Sequence, residues 1–309
     1  MIRKYKNGNV YVTIDDSDGT KTRFTLDDDF VPEFAECCDV HISNQCDNGC
    51  QYCYAGCSID GMHGKLLGWE FFETLHPHTE MAINLQLPIP PDLIEFLSKM
   101  KDKQVIVNVT VNQNHFMLDG FRRLLKQLQS GGLIYGIGIS LINPTSEFIS
   151  ATREFDNVVI HVINGVVTTQ QLFDLAYQHF NILILGYKNI GRGESYTEEN
   201  KRTVRNRKGF LYWNLKFILE EDWFQTIAFD NLALEQLNVK RFLSDGEWEE
   251  SYQGEDGTST FFINLVDGTF GINSLTKAED RFPIENKSID EMFKIIRRLK
   301  DGGKKLGAY

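Results

Sequence analysis

The sequence predicts an α/β fold: a partial, TIM-like (βα)6 barrel preceded by an N-terminal β-hairpin and followed by a C-terminal α+β cap. Three observations carry this expectation. Short apolar, β-branched runs recur through the middle of the chain, segments with helical spacing separate them, and turn or capping residues fall at the junctions. A doubly wound open sheet is the competing geometry for the same alternation.

The elements follow in order. Residues 1–35 alternate like strands around "DDSDGTK", where Asp18-Gly19 is a hairpin turn signal, and read as a hairpin extension. The core spans residues 36–230. Its strands are expected at Val105–Val111, Tyr135–Ile142, Val158–Ile163 and Ile182–Tyr187, with weaker runs near Val40–Ser43 and Met81–Leu85. Each run is continuous, which suits strands buried on both faces of a parallel sheet. Between them lie the stripes Leu93, Phe96, Leu97, Met100, then Phe121, Leu124, Leu125, Leu128, then Leu172, Leu175, Ala176, Phe180. Pro90-Pro91 before Asp92 marks a helix entry and "QSGGL" an exit.

After Tyr187 comes the polar stretch "KNIGRGESYTEENKRTVRNRKG", then the apolar helix candidate "FLYWNLKFILEE" and a last strand and helix in "TIAFDNLALEQL". The cap, residues 231–309, holds a hairpin turning at Asp267-Gly268 and the amphipathic helix "SIDEMFKIIRRLK", with Ser288 and Glu291 spaced as a capping box.

Composition narrows the class. Of 309 residues, 42% are apolar and 24% charged, with 22 Phe and 11 Tyr, which is the balance of a globular rather than a disordered chain. A net charge of −11 opposes a broad footprint on duplex nucleic acid. No stretch reaches membrane-spanning length, and "MIRKYKNGNVYVTIDD" lacks the apolar centre of a secretion signal, so a cytoplasmic protein is expected.

All six cysteines lie at positions 37, 38, 46, 50, 53 and 57, a clustering that points to metal rather than disulfides. In "QCDNGCQYCY", Cys46, Cys50 and Cys53 share one short loop containing a glycine. Soft thiolates converging in this way suit iron–sulfur chemistry, and three ligands leave one iron open. Structural zinc normally takes two separated two-cysteine knuckles. A closed ferredoxin-like cluster takes C-x2-C-x2-C-x3-C-P, whereas here the first gap is longer and Ser58 replaces the proline. Cys57 would supply the fourth thiolate of a closed site.

The pattern C-x3-C-x-aromatic-C (Cys46, Cys50, Tyr52, Cys53), ahead of a βα series, resembles the radical S-adenosylmethionine superfamily over about residues 36 to 230. The phrases "VTVNQNHF" and "LILGYKNIGRG" further resemble small radical enzymes of bacteria and phages. The resemblance implies that Cys46, Cys50 and Cys53 hold an oxygen-sensitive [4Fe–4S] cluster whose open iron takes the amino and carboxylate groups of S-adenosylmethionine. It implies reductive cleavage of that cofactor to a 5′-deoxyadenosyl radical, with a flavodoxin- or ferredoxin-type electron donor. Tyr52 then packs on the adenine side, and Cys57 is a neighbour rather than a ligand.

Where the family carries a Gly-Gly-Glu-like turn for the cofactor's amino group, this chain has Asn84, Leu85 and Gln86. These amides accept hydrogen bonds without full charge, so a weaker contact is expected. Strand ends on the carboxyl side of a barrel face its active site, which makes Asn112, Asn114, Ser140, Asn143 and Asn164 candidates for cofactor contacts. Lys188, Arg192 and Asp230 are candidates for catalysis or for holding a substrate, and Tyr252 and Asp256 for a lesser contact. The run Lys201, Arg202, Arg205, Arg207, Lys208 reads as a solvated helix face.

The substrate is open at this point: a small molecule, a nucleotide or a peptide. A peptide-maturing enzyme would use the basic run and terminal hairpin for docking. A non-catalytic protein stabilised by zinc or a closed cluster is the rival of a different class.

Overall fold

A computed structural model of the chain describes residues 2–15, 19–27, 30–252 and 254–301. The N-terminal segment is a three-stranded antiparallel meander, β1 (Ile2–Asn7), β2 (Val10–Asp15) and β3 (Lys21–Phe24), one strand more than the expected hairpin. Asp18 of the turn signal lies outside the described residues. Alternation on β2 explains its seat: Val10, Val12 and Ile14 point inward and cluster with Ile106, beside Tyr5 and Tyr135. Arg23 Nε, 2.7 Å from a Glu36 carboxylate oxygen, ties the meander to the next segment.

The main sheet has ten strands. β4 (Cys37–His41), β5 (Glu80–Asn84), β6 (Ile106–Asn112), β7 (Gly136–Ser140), β8 (Val158–Ile163), β9 (Asn181–Leu185) and β10 (Thr226–Phe229) are parallel and adjacent in chain order. β11 (Thr260–Asn264) lies parallel on the free side of β4, followed by antiparallel β12 (Thr269–Gly271) and β13 (Phe282–Pro283).

Strand order reverses once, where β11 joins the free side of β4, but a doubly wound sheet carries helices on both faces, whereas here one face borders a cavity. The parallel core is larger than the six strands expected. Seven successive parallel strands are joined by an eighth from the C-terminal segment, and among the described residues β10 and β13 are the two edges of an open sheet. Phe261, Phe262 and Ile263 account for that eighth strand: all are buried, which a hairpin lying on the surface could not achieve.

One face of the sheet is packed under helices. Cys38, Val40, Met81, Ile83, Ile139 and Ile160 on that face are at most 2% exposed, covered by helix Leu93–Asp102 through Leu93, Phe96, Leu97 and Met100, and by helix Asp119–Ser130 through Phe121, Leu125 and Leu128. A fully buried leucine there contributes about 2 kcal/mol from burial alone. The other face carries the alternate residues, which are only partly covered, as the burial pattern of β5 and β9 shows. The continuous apolar runs therefore do not mark strands buried on both sides, because the inner face borders a cavity.

Three helices depart from expectation. Helix Thr169–Leu175, closed at its start by a Thr168–Gln171 capping box, stops before Ala176, and Tyr177 and His179 take positive φ, so the apolar stripe to Phe180 is not continuous helix. The polar stretch after Tyr187 forms helices Arg192–Glu199 and Lys201–Glu220. Val204, Leu211, Leu215 and Ile218 bury one side of the longer helix, a periodicity that the basic residues between them obscure. At the C-terminal end, Ser288 and Glu291 exchange the reciprocal bonds of a capping box at helix Ile289–Asp301. No helix among the described residues is long and apolar enough to cross a membrane.

Candidate active site

The cysteine loop leaves the carboxyl end of β4 and folds back on itself. Cys46 N–H donates to Ser58 O at 2.8 Å, Ser58 N–H to Asn44 O at 3.0 Å, and Asn44 N–H to Met62 O at 2.9 Å. Gly49 and Gly56, with φ of 62° and 64°, supply the left-handed turns that this path needs. All six cysteines are free thiols.

A second element clamps the loop from outside. Arg192 Nε donates to Cys50 O at 2.9 Å and Nη1 to Cys57 O at 2.8 Å, while Arg192 N–H reaches Cys53 O at 3.2 Å. Gly191, at φ 56°, sits so close to the Tyr54 carbonyl that a Cβ would collide with it. The "NIGRG" glycine is thus explained by backbone approaching the cysteine loop. Arg192, a candidate for catalysis or for holding a substrate, holds this loop and places its charge beside the thiols.

The sulfurs have their own partners. Asn48 Nδ2 lies 2.8 Å and Asn112 Nδ2 3.5 Å from Cys50 Sγ. Asn112 Oδ1 also accepts from Asn114 N–H, and Asn114 Nδ2 donates to Asn48 Oδ1 at 2.8 Å, so the end of β6 is bound to the loop. Hydrogen bonding from the Cys57 thiol is the main cause that brings Cys53 down to about 6, and the same bond, with burial, holds Cys57 well up. Burial raises Cys46 and Cys50, with the Arg192 charge acting in the opposite direction on both. Cys46, Asp47 and His115 also bring three ligand atoms within 4.8 Å of one another, and there Asp47 Oδ1 is already 2.6 Å from His115 Nε2.

The amides in place of the Gly-Gly-Glu-like turn are engaged with the start of the loop. Asn84 Oδ1 accepts from Ile42 N–H at 2.8 Å, and its Nδ2 donates to Ser43 O and to Gln86 Oε1. Gln86 Nε2 donates to Ser43 O at 2.8 Å. They act on the path of the chain into Cys46.

Below the loop, the inner face of the sheet borders a cavity of about 400 Å³, lined by Tyr52, Asn84, Ser140, Lys188 and Asp230 among the expected residues. Tyr52, whose hydroxyl is pushed up to about 12 by burial, also borders a neighbouring cavity of about 240 Å³, where Tyr196 packs edge-on to it at 5.7 Å. Asn164 is not brought into the site: it is 1% exposed and bonds to Gln236. Asn143 offers its carbonyl to Gln113. Arg207 lines the smaller cavity and Lys208 lies over the Tyr187 ring, so the basic run is solvated only in its first part.

Asp230 caps helix Asn231–Leu237 through Ala233 N–H at 2.7 Å, and the same oxygen accepts from Gly186 N–H at 2.8 Å. Lys188 Nζ donates to Ser274 Oγ at 2.8 Å and stands 4.0 Å from the centroid of the Tyr54 ring. Despite burial, Tyr54 and the charges of Asp230, Asp39 and Asp256 keep the Lys188 ammonium above its usual range. Asp256 itself receives amide hydrogens from Asn231 and Asn273, and Tyr252 stacks on Trp248.

Sequence reading missed Asp39, His41, Thr110 and His161, all of which line the cavity. Burial raises the Asp39 carboxyl, and burial brings His161 down to about 4. A single signal could have found them: each is a polar residue at an inward position of a strand that otherwise reads as apolar.

The fold that carries this site is an α/β fold on a large, sequentially wound parallel sheet. It is similar to that of Streptococcus suis SuiB in its crystal structure bound to S-adenosylmethionine, with a TM-score of 0.52 and 13% sequence identity. The likeness covers 85% of this chain and 64% of SuiB, so this chain spans less than two thirds of that one. No protein-family model and no curated protein matches the sequence.

Proposed function

We propose that this chain is a radical S-adenosylmethionine enzyme acting on a small molecule or nucleotide, and that Cys46, Cys50 and Cys53 hold its [4Fe–4S] cluster. The observation that carries the reading is a three-cysteine loop, clamped by Arg192, at the carboxyl end of a sequential parallel sheet and above a cavity that carries a few polar groups in an apolar lining. The likeness to a fold that binds S-adenosylmethionine supports it. The residues fit the group: the thiols are free and near one another, amide hydrogens point at Cys50 Sγ, and a guanidinium offsets negative charge.

When bound, the cluster and cofactor supply one-electron cleavage to methionine and a 5′-deoxyadenosyl radical, which removes a hydrogen atom from substrate. The chain's own residues position and shield. Arg192 fixes the carbonyls of Cys50 and Cys57, and Asn84 and Gln86 fix the loop's entry. The amide oxygens of Asn84 and Gln86 each retain a second lone pair for the cofactor's ammonium. Tyr52 and Ser140 border the space for adenosine, and Ile163, Leu183, Leu185 and Phe262 form apolar wall that keeps water from a radical. The electron donor is a small flavodoxin- or ferredoxin-type protein.

Anaerobic reconstitution of the full chain, followed by reduction and mass spectrometry for 5′-deoxyadenosine, tests this reading. It fails if a variant with Cys46, Cys50 and Cys53 all changed to Ala still forms that product. One feature favours a second reading, a closed four-thiolate site: Cys57 lies on the same loop and is the main influence that lowers the Cys53 thiol. In that case Cys57→Ala loses iron, and S-adenosylmethionine leaves the cluster's spectrum unchanged.

A further inference from the structure

The floor of the larger cavity differs from its mouth. Asp39 stands on the inner face of β4, its side chain open to the cavity, with Ala82 beside it on β5 and Phe262 on β11. Among the described residues no hydrogen bond or ion pair reaches its carboxylate, and neither neighbour can donate one.

His161, across the cavity on β8, is equally unengaged. Its ring lies over Gly138, where a Cβ would overlap it, and its Nδ1 is buried with no partner. Burial keeps this imidazole neutral at ordinary pH.

The local charge is one-sided. Asp39, Asp230 and Asp256 face a single ammonium, Lys188, which already donates to Ser274 and lies against Tyr54. Arg281, over the Phe262 ring, is paired with Asp267. The Asp39 side chain is exposed to the cavity, so a cation that enters meets an unpaired carboxylate there.

We propose that the cavity floor is a substrate subsite for a cationic nitrogen, an ammonium or amidinium group received by Asp39. This rests on the reading of the cavity as an active site and names its substrate class: a small amine-bearing molecule. Ala82 leaves the space that such a group occupies, and Phe262 walls it on the other side. The subsite is built by protein side chains alone, so it exists with or without a cluster.

The test is saturation-transfer NMR on the full chain with 1,4-diaminobutane and, as an uncharged counterpart, 1,4-butanediol. The expected result is a diamine signal at least fivefold above that of the diol. It should fall at least fivefold both in Asp39→Asn and in Ala82→Leu, which fills the space without altering charge. Circular dichroism melts verify that each variant is folded. Absence of a diamine signal in the unaltered chain, equal signals from diamine and diol, or a diamine signal within twofold of the original in folded Asp39→Asn would each overturn the proposal. The two readings fail separately. A chain that binds diamine but never forms 5′-deoxyadenosine loses the cofactor reading, and one that forms it without Asp39-dependent diamine binding loses this one.

Discussion

The cysteine loop and the cavity floor, two polar regions of one site, differ in how their hydrogen-bonding groups are engaged. Around the loop, Arg192, Asn48, Asn84, Gln86 and Asn112 all have protein partners. On the floor, Asp39 has none and His161 keeps a buried nitrogen unpaired. The difference separates two kinds of preparation: the loop is set in place before anything binds, whereas the floor is completed by what binds.

Replacing Cys46, Cys50 and Cys53 by Ala is the severest way to break the comparison, because it removes what the loop is set up to hold. Iron should fall to background after reconstitution, and 5′-deoxyadenosine formation should drop more than a hundredfold. Arg192→Ala leaves the thiols but frees two carbonyls. With each charged hydrogen bond worth about 2 kcal/mol, iron retention and product formation should fall at least tenfold, and Arg192→Lys should recover only part, since an ammonium lacks the fork.

Gly191→Ala adds a methyl against Tyr54 O at positive φ. It should cost about 1 to 3 kcal/mol, read as a fall in the melting temperature. On the floor the lever is pH. His161 is held to about 4 by burial, against an ordinary value near 6.5 in the unfolded chain. Between those values the unfolded chain binds a proton that the folded one refuses, so stability is fully present above about 6.5 and declines as pH falls towards 4. Thermal melts from pH 7 to 4.5 should show that decline, and it should flatten in His161→Gln. The smallest effect is expected from Cys57→Ala: if three thiolates suffice, iron content should change by less than a fifth, whereas loss of a quarter or more of the iron would mark Cys57 as a ligand.

Much of this was legible in the sequence, for identifiable reasons. The strands from Val105 to Tyr187 were visible because their outward residues are apolar and β-branched, and the helix beginning at Leu93 because its stripe is unbroken. The cysteines were visible because spacing on a loop is a local property. Asp39 and His161 were not singled out, because an apolar run was read as buried on both faces and one face in fact borders a cavity. Arg192 was located, but the carbonyls of Cys50 and Cys57 that it binds are distant in sequence, and no local pattern reveals such a partner. β11 was seen as part of a hairpin, yet its parallel seat on β4 depends on an edge supplied by the opposite end of the chain.

That seat imposes an order on assembly. Cys37 pairs with Thr260 and His41 with Asn264, so the strand leading into the cysteine loop lacks its outer neighbour until more than two hundred further residues have left the ribosome. During that interval β4 presents a naked edge to other nascent chains. Contacts this remote along the chain form slowly. A form truncated before Thr260 is therefore expected to precipitate rather than to survive as a smaller folded chain.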